Sequence, residues 1–214
     1  MANEIKKCSV VSGAPNDCAE FLKKNICPDD FIIAADSGYK HLLKAGITPD
    51  VIVGDFDSSP KPELDCEIVT LPCEKAYCDT LECVMLAIDR EFNDITIYNA
   101  IGNRMDHTYA NILILNYCKS RNCVCKIVDE RNRLSLITQK TTFKKEYENF
   151  SLFAYLEDCK GVTIKGAYYT AGFYNLEKLD ILQGDMMAVS NYVNAPQCEI
   201  NLESGTLLLI ESND

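Results

Sequence analysis

As far as residue 130, the chain alternates short apolar runs with longer segments of helical periodicity. The apolar runs predict strands at residues 8–13, 31–35, 51–54, 67–71, 95–98 and 124–128. The segments between them predict helices at residues 17–25, 38–45, 80–91 and 107–119. Continuous apolar runs are typical of strands that helices cover on both faces. This order predicts an α/β fold with a mainly parallel sheet, whose ligands bind beyond the carboxyl ends of the strands.

After about residue 140 the pattern changes to short β-rich runs separated by Gly, Asn and Pro. These runs predict strands at residues 151–156, 161–164, 186–192, 197–201 and 206–210, after a charged junction at residues 140–148. We therefore predict an α/β domain over residues 1–138 and a small antiparallel β domain over residues 139–214. A β domain of this size is expected to rest on its neighbour or on a second subunit.

Composition excludes several classes of protein. The chain is 47% hydrophobic and 25% charged, as globular proteins are, and its net charge of -11 disfavours nucleic acid as a partner. Its sequence contains no stretch of 18 apolar residues, so no membrane partner is expected. The twelve cysteines include no CxxC pair, and the N-terminus lacks an apolar signal region, so we expect a reducing cytoplasmic location.

Several acidic residues follow the predicted strands directly. Asp36 ends the second strand, Asp55 and Asp57 follow the third, and Asp79 and Asp106 open later helices. In an extended segment, side chains two residues apart point the same way, so Asp55 and Asp57 can reach one cation. Carboxylate oxygens of this kind suit Mg²⁺, which keeps several waters and binds substrate phosphates. The acids therefore predict a magnesium site at one edge of the sheet.

Each of these acids also has a structural interpretation. Asp79 with Glu82 fits a helix cap and capping box, and Asp106 could likewise be a cap. Asp57 could form an Asx turn with Ser58. A pair of aspartates with one residue between them is weak evidence for a metal, so both interpretations stay open at this point.

Three basic side chains lie close to these acids in sequence. Arg104 lies in the segment GNRMDH, where a guanidinium could hold a phosphate or be an ordinary surface group. His107 could donate a hydrogen bond near the site or be structural. Lys75 precedes Asp79 by four residues and could neutralise phosphate charge or be solvated.

Taken together, these segments resemble the thiamine pyrophosphokinase (thiamin diphosphokinase) family. The matching segments are DSGYKHLLKAGITPDVIVGDFDSS at residues 36–59, GNRMDHTYANILIL at 102–115, GAYY at 166–169 and the pair Ser190-Asn191. The block PD-x-x-x-GDFDS at residues 49–58 is much more specific than an isolated DxD pair. The resemblance covers nearly the whole chain.

The resemblance implies an α/β catalytic domain followed by a β-sandwich that binds thiamine and dimerises. It implies a homodimer that transfers a pyrophosphoryl group from ATP to thiamine with Mg²⁺, giving thiamine diphosphate and AMP. The implied metal ligands and catalytic residues are Asp55, Asp57 and Asp79, with Asp106 as a further catalytic candidate. The implied residues of the nucleotide site are Asp36, Lys75, Arg104 and His107, and those of the thiamine site are Tyr169, Ser190 and Asn191.

One segment departs from the family pattern. Bacterial members usually read KDxTD before the helix, whereas residues 75–79 read KAYCD, with Ala76 and Cys78 in place of an acid and a hydroxyl. This departure motivates the alternative of a non-catalytic protein that binds thiamine or thiamine diphosphate. A second alternative is a metal-dependent phosphohydrolase that uses the same acidic residues.

Overall fold

The computed structural model describes residues 4–57 and 61–214, so the predicted turn at Ser58 and the end of the GDFDS block lie outside the described residues. The chain divides into two compact units, of which the first ends at Glu130 and the second comprises Arg131–Asp214. The division comes before the boundary predicted after residue 138, because the segment Asn132–Ile137 pairs within the second unit.

The first unit alternates strands and helices as its apolar periodicity predicts. In chain order these elements are β1 (Lys7–Val11), α1 (Ala19–Asn25), β2 (Phe31–Ala35), α2 (Gly38–Lys44), β3 (Val51–Gly54), β4 (Glu67–Thr70), α3 (Asp79–Asp89), β5 (Asp94–Tyr98), α4 (Met105–Lys119) and β6 (Val124–Val128). The strands pair in parallel in the order β4-β3-β2-β1-β5-β6. Leu22 of α1 and Leu42 of α2 pack with Val11 and Ile52 on one face. The predicted α/β fold with a mainly parallel sheet is confirmed.

The order of the strands reverses next to β1. The chain adds β2, β3 and β4 on one side of β1 and then returns to place β5 on the other side. In the β1–β5 pair, Val11 is in register with Tyr98 at the carboxyl ends of both strands. The connections that leave these two ends diverge, and ligands of such folds bind in the crevice that results.

The second unit contains two antiparallel sheets. Its strands are β7 (Asn132–Ile137), β8 (Thr141–Phe143), β9 (Asn149–Ala154), β10 (Cys159–Lys165), β11 (Leu179–Ile181), β12 (Cys198–Asn201) and β13 (Leu207–Ser212), with a 3-10 helix at Ala171–Tyr174. One sheet has the order β7-β13-β9 and the other the order β11-β10-β12-β8. Phe150, Leu152, Ile200 and Leu207 belong to one buried cluster built from both sheets, as in a β-sandwich.

One strand predicted in this unit is absent, and three strands form where none was predicted. Residues 186–192 form turns with only an isolated bridge between Asn191 and Phe150. Asp185 closes the preceding turn by accepting a hydrogen bond from the Leu182 N–H, and Met186 is 78% exposed. The three strands that the pattern does not predict are β7 at residues 132–137, β8 at residues 141–143 and β11 at residues 179–181. Across the described residues, no helix combines the length and the apolar character needed to span a bilayer.

Candidate active site

A cavity of about 540 Å³ opens where β1, β2 and β5 end, at the reversal of strand order. The loops that follow these three strands line it, together with the first turns of α3 and α4. Its lining includes five of the residues predicted for the nucleotide and metal sites, namely Asp36, Lys75, Asp79, Arg104 and His107. The cavity therefore lies where a parallel α/β sheet presents its ligand site.

Asn99 holds the loops after β1 and β5 together. Its amide nitrogen donates to the carbonyl oxygens of Ser12 at 3.1 Å and Ala14 at 2.7 Å. Its amide oxygen accepts a hydrogen bond of 3.2 Å from the side chain of Asn16. Asn99 is 2% exposed and has a φ of 52°, a left-handed conformation that Asn adopts more readily than most residues. The sequence interpretation missed this residue, although a polar side chain directly after a buried strand is the signal that identified Asp36.

Two further polar contacts fix the helices that border the cavity. The hydroxyls of Ser12 and Thr80 lie 2.7 Å apart, which joins β1 to the first turn of α3. Thr108 accepts a hydrogen bond of 3.1 Å from the Gly102 N–H, and the Asn111 side chain donates to the Ala100 carbonyl at 2.7 Å. These bonds join α4 to the loop after β5.

The N-cap residues of α3 and α4 are Cys78 and Arg104, and neither makes a side-chain capping hydrogen bond. Asp79 and Asp106 lie inside the first turns, so the interpretation of these acids as N-caps is wrong. Free N–H groups and the helix dipole make such a terminus favourable for phosphate.

Lys75 lies between two of the predicted carboxylates. Its ammonium donates a hydrogen bond to Asp55 Oδ2 and is 3.1 Å from Asp79 Oδ1. The side chains of Lys75 and Asp55 are only 12% and 13% exposed. Burial acts to lower the pKa of Lys75, but its close pairing with Asp55 and Asp79 outweighs burial and raises this pKa. The hydrogen bond from Lys75 also lowers the pKa of Asp55.

Asp79 is in a different electrostatic environment from Asp55. Burial raises its pKa, and the charges of Asp55 and Asp36 act in the same direction, against the opposing effect of Lys75. Its Oδ1 atom is buried and faces the Lys75 ammonium at 3.1 Å, in an ion pair that lacks hydrogen-bond geometry. Asp36 approaches β3 closely because Gly54 has no side chain: a Cβ there would lie 3.3 Å from Asp36 Oδ1. The structure thus brings Asp36, Asp55, Lys75 and Asp79 together.

The remaining predicted residues of this region lie at the rim or outside the cavity. Asp57 is exposed, and its N–H donates to Asp55 Oδ1 at 3.2 Å. Arg104 lines the cavity and pairs through two nitrogens with Asp106, at 3.2 and 2.5 Å. This pairing lowers the pKa of Asp106 to about 2. Asp57 and Asp106 do not line the cavity.

In the second unit, the predicted thiamine residues Tyr169, Ser190 and Asn191 are neighbours. The Asn191 side chain accepts from the Tyr169 N–H at 3.0 Å and donates to the Tyr169 carbonyl at 2.7 Å. Asn191 is 2% exposed, whereas Ser190 is exposed. The Tyr169 ring makes edge-to-face contacts with Tyr168 and Phe173, each with a centroid distance of 4.9 Å. Asn191 therefore positions the backbone that carries an aromatic cluster.

The acidic residues fit a magnesium ion through two carboxylates. Within residues 4–57 and 61–214, no three His, Cys, Asp or Glu side chains converge as a metal-binding group. Asp55 and Asp79, however, already share one cation, the Lys75 ammonium, which faces the buried Oδ1 atom of Asp79. Mg²⁺ is usually held by one or two carboxylates, with waters and phosphates completing its shell.

Residues 22–127 match the family model of the thiamin pyrophosphokinase catalytic domain. Asp36, Asp55, Lys75 and Asp79 all lie within this segment. The chain belongs to the thiamin pyrophosphokinase family. The whole chain is similar to thiamine pyrophosphokinase of Bacillus subtilis strain 168, with 25% identity over 219 residues, covering 98% of this chain and 100% of the relative.

Two solved structures and a second sequence relative are also similar to the chain. The crystal structure of the B. subtilis thiamine pyrophosphokinase superposes with a TM-score of 0.84 at 22% identity, covering 98% of this chain and 100% of that one. Thiamin pyrophosphokinase from Geobacillus thermodenitrificans gives a TM-score of 0.83 at 25% identity, covering 97% and 98%. A 6-hydroxymethyl-7,8-dihydropterin pyrophosphokinase from Pyrococcus furiosus is 33% identical over 85 residues, or 40% of this chain and 36% of its own length.

Proposed function

We propose that this protein transfers a pyrophosphoryl group from ATP to the hydroxyl of thiamine with Mg²⁺, giving thiamine diphosphate and AMP. One observation carries the proposal. The segment that matches the catalytic-domain model contains Asp36, Lys75 and Asp79, and these residues line one cavity at the reversal of strand order. The full-length similarity to the B. subtilis enzyme supports the same activity.

The ATP phosphates would bind at the first turns of α3 and α4. The backbone N–H groups of these turns, with the charges of Arg104 and Lys75, would attract the phosphates, and His107 and Asp36 border the same space. Asp55 and Asp79 would hold Mg²⁺, with Asp57 as a further ligand. A bound Mg²⁺ would offset the charge that develops on the phosphate oxygens.

This reaction asks little covalent chemistry of the chain. Pyrophosphoryl transfer needs the acceptor oxygen in line with the β-phosphorus, so positioning and electrostatics supply most of the catalysis. Of the two predicted proton acceptors, Asp79 is favoured because it lines the cavity and burial raises its pKa. Asp106 is disfavoured because its pairing with Arg104 lowers its pKa to about 2.

We propose that thiamine binds through Tyr169, Ser190 and Asn191 of one copy and the cavity of another, in a homodimer. Thiamine is a cation, so an aromatic face such as Tyr169 can contribute a cation–π contact of about 0.5–2 kcal/mol. Asp36 and Asp79 on the cavity wall favour the same charge. We also propose a cytoplasmic location, because all twelve cysteines are free and all lie in the described part of the chain.

The test is a product analysis with purified protein, ATP, Mg²⁺ and thiamine. We expect AMP and thiamine diphosphate, and neither without Mg²⁺. ADP as the only nucleotide product would exclude pyrophosphoryl transfer. Phosphate or pyrophosphate released without an acceptor would support the phosphohydrolase alternative. Stabilisation by thiamine without turnover would support the binding protein. 6-Hydroxymethyl-7,8-dihydropterin serves as a competing acceptor, since one relative is named for that substrate.

Two matched variants of α3 test the site. Asp79→Asn removes a carboxylate from the cavity, whereas Asp89→Asn makes the same change at the exposed end of the same helix. We expect Asp79→Asn to reduce turnover strongly and Asp89→Asn to leave it close to that of the unmodified protein. Equal turnover of the two variants would show that this cavity is not the active site.

A further inference from the structure

Lys75 occupies the position that a metal ion needs in order to bind Asp55 and Asp79 together. Its ammonium bonds Asp55 Oδ2 and lies 3.1 Å from Asp79 Oδ1. The Lys75 side chain is 12% exposed, so this position is largely closed to water. Among the described residues, no third ligand group stands ready for a metal beside it.

A magnesium ion and the ammonium cannot share these oxygens. Mg²⁺ binds oxygen at about 2.0–2.1 Å in a near-octahedral shell, so an ion between Asp55 and Asp79 would take the volume that the Lys75 Nζ atom fills. Two cations at such a short separation would also repel each other strongly. Binding of Mg²⁺ therefore requires Lys75 to leave the carboxylates.

The cavity offers Lys75 a second position. Lys75 lines the cavity that is bordered by the first turns of α3 and α4, where the proposed ATP phosphates lie. Lys75 belongs to the segment between β4 and α3, in which residues 71–78 form no helix or strand. A flexible four-carbon side chain on such a segment can change its partner without any change in the sheet.

We propose that Lys75 is a resident cation that competes with Mg²⁺. It neutralises Asp55 and Asp79 while the site holds no metal, and it transfers its ammonium to the phosphates when Mg²⁺ takes the carboxylates. This inference rests on the proposed Mg²⁺-dependent function. It makes Lys75 a positioning residue with two states, in contrast to a lysine that contacts phosphate only.

The first test measures Mg²⁺ binding directly, by isothermal titration without nucleotide, to the unmodified protein and to Lys75→Met. Methionine keeps much of the length of the side chain and removes the charge. We expect the variant to bind Mg²⁺ about tenfold more tightly or better, because no charged hydrogen bond must be broken first. Arg104→Met is the control, since it removes a cation from the same cavity wall that does not touch Asp55 or Asp79. We expect a much smaller change in Mg²⁺ affinity for Arg104→Met.

Three results would overturn the proposal. They are equal Mg²⁺ affinity in Lys75→Met and the unmodified protein, no saturable Mg²⁺ binding in either, or an equal gain in Mg²⁺ affinity in Arg104→Met. The last result would mean that general cavity charge, and not occupancy of the carboxylates, controls affinity.

The second test uses the unmodified protein, so it holds if Lys75→Met does not fold. Acetylation of lysines by an N-hydroxysuccinimide ester is followed by mass spectrometry with and without Mg²⁺. We expect the rate at Lys75 to rise severalfold with Mg²⁺, while Lys178, which pairs with Glu203 in the second unit, stays unchanged. A constant or slower rate at Lys75 would refute release of its ammonium.

The two proposals fail in different ways. If the protein makes no thiamine diphosphate, the proposed function fails, whatever Mg²⁺ does at Lys75. If it makes thiamine diphosphate with Mg²⁺ but the two Lys75 measurements show no change, only the competition fails.

Discussion

Replacing Asn99 with alanine tests whether polar contacts between the loops after β1 and β5 hold the cavity in shape. The substitution removes three hydrogen bonds, two of which are accepted by the Ser12 and Ala14 carbonyls. At about 0.5–1.5 kcal/mol for each bond, the loss is about 2–4 kcal/mol. Alanine at a φ of 52° adds a cost of about 1 kcal/mol or more. We therefore expect a total destabilisation of about 3–5 kcal/mol.

The assay is urea unfolding followed by far-ultraviolet circular dichroism, with amide hydrogen exchange to locate the loss in β1 and β5. Asn99→Gly separates the two contributions, since glycine accepts the positive φ but makes no side-chain bond. We expect it to be less destabilised than Asn99→Ala by about 1 kcal/mol. Asn103→Ala, at an exposed position of the same cavity wall, should change stability by less than about 0.5 kcal/mol. An Asn99→Ala midpoint equal to that of the unmodified protein would refute the reasoning.

Three other substitutions give independent checks. Gly38→Ala places a Cβ 2.1 Å from the Val11 carbonyl oxygen, so thermal unfolding should show a free energy of unfolding lower by about 1–3 kcal/mol. Alanine normally stabilises a helix relative to glycine, so a higher free energy of unfolding would contradict the close approach. Arg133→Ala removes the ion-pair partner of Glu211, whose side chain is 4% exposed, and should lower the free energy of unfolding in urea by about 3 kcal/mol. A decrease of less than about 0.5 kcal/mol would contradict a buried pair. Burial lowers the pKa of His41, so the unfolded chain binds its proton first and stability falls as pH drops below about 6.5. His41→Gln should lessen that fall between about pH 7.5 and about pH 5.5, and an unchanged pH dependence would exclude His41 as its cause.

The sheet of the first unit is predictable from sequence because its strands are buried on both faces. Runs such as Phe31–Ala35 and Val51–Gly54 are apolar throughout, and turn residues separate them from helical segments. The second unit is less predictable because its strands have one polar face. β7 contains Arg133, whose charge is neutralised by Glu211 on β13, and a sequence pattern does not reveal a partner so distant in the chain.

The same contrast applies to the candidate site. Asp36 and Asp79 could be identified because acids near the ends of buried strands and the starts of helices lie at the ligand edge of a parallel sheet. The shared ion pair of Lys75 depends on how the segment before α3 folds back towards Asp55, which spacing does not determine. Asn99 was missed because only charged residues were considered after the strands, although its amide organises the loops there.

The most direct test of the proposed reaction follows both transferred phosphorus atoms. ATP labelled with ¹⁸O at the non-bridging oxygens of its β- and γ-phosphates is supplied with Mg²⁺ and thiamine, and the products are separated and analysed by mass spectrometry. The account predicts that each thiamine diphosphate carries both labels from one ATP, with one unlabelled AMP formed for each. Thiamine monophosphate with labelled ADP, or labelled pyrophosphate with unmodified thiamine, would contradict transfer of the pyrophosphoryl group as a unit.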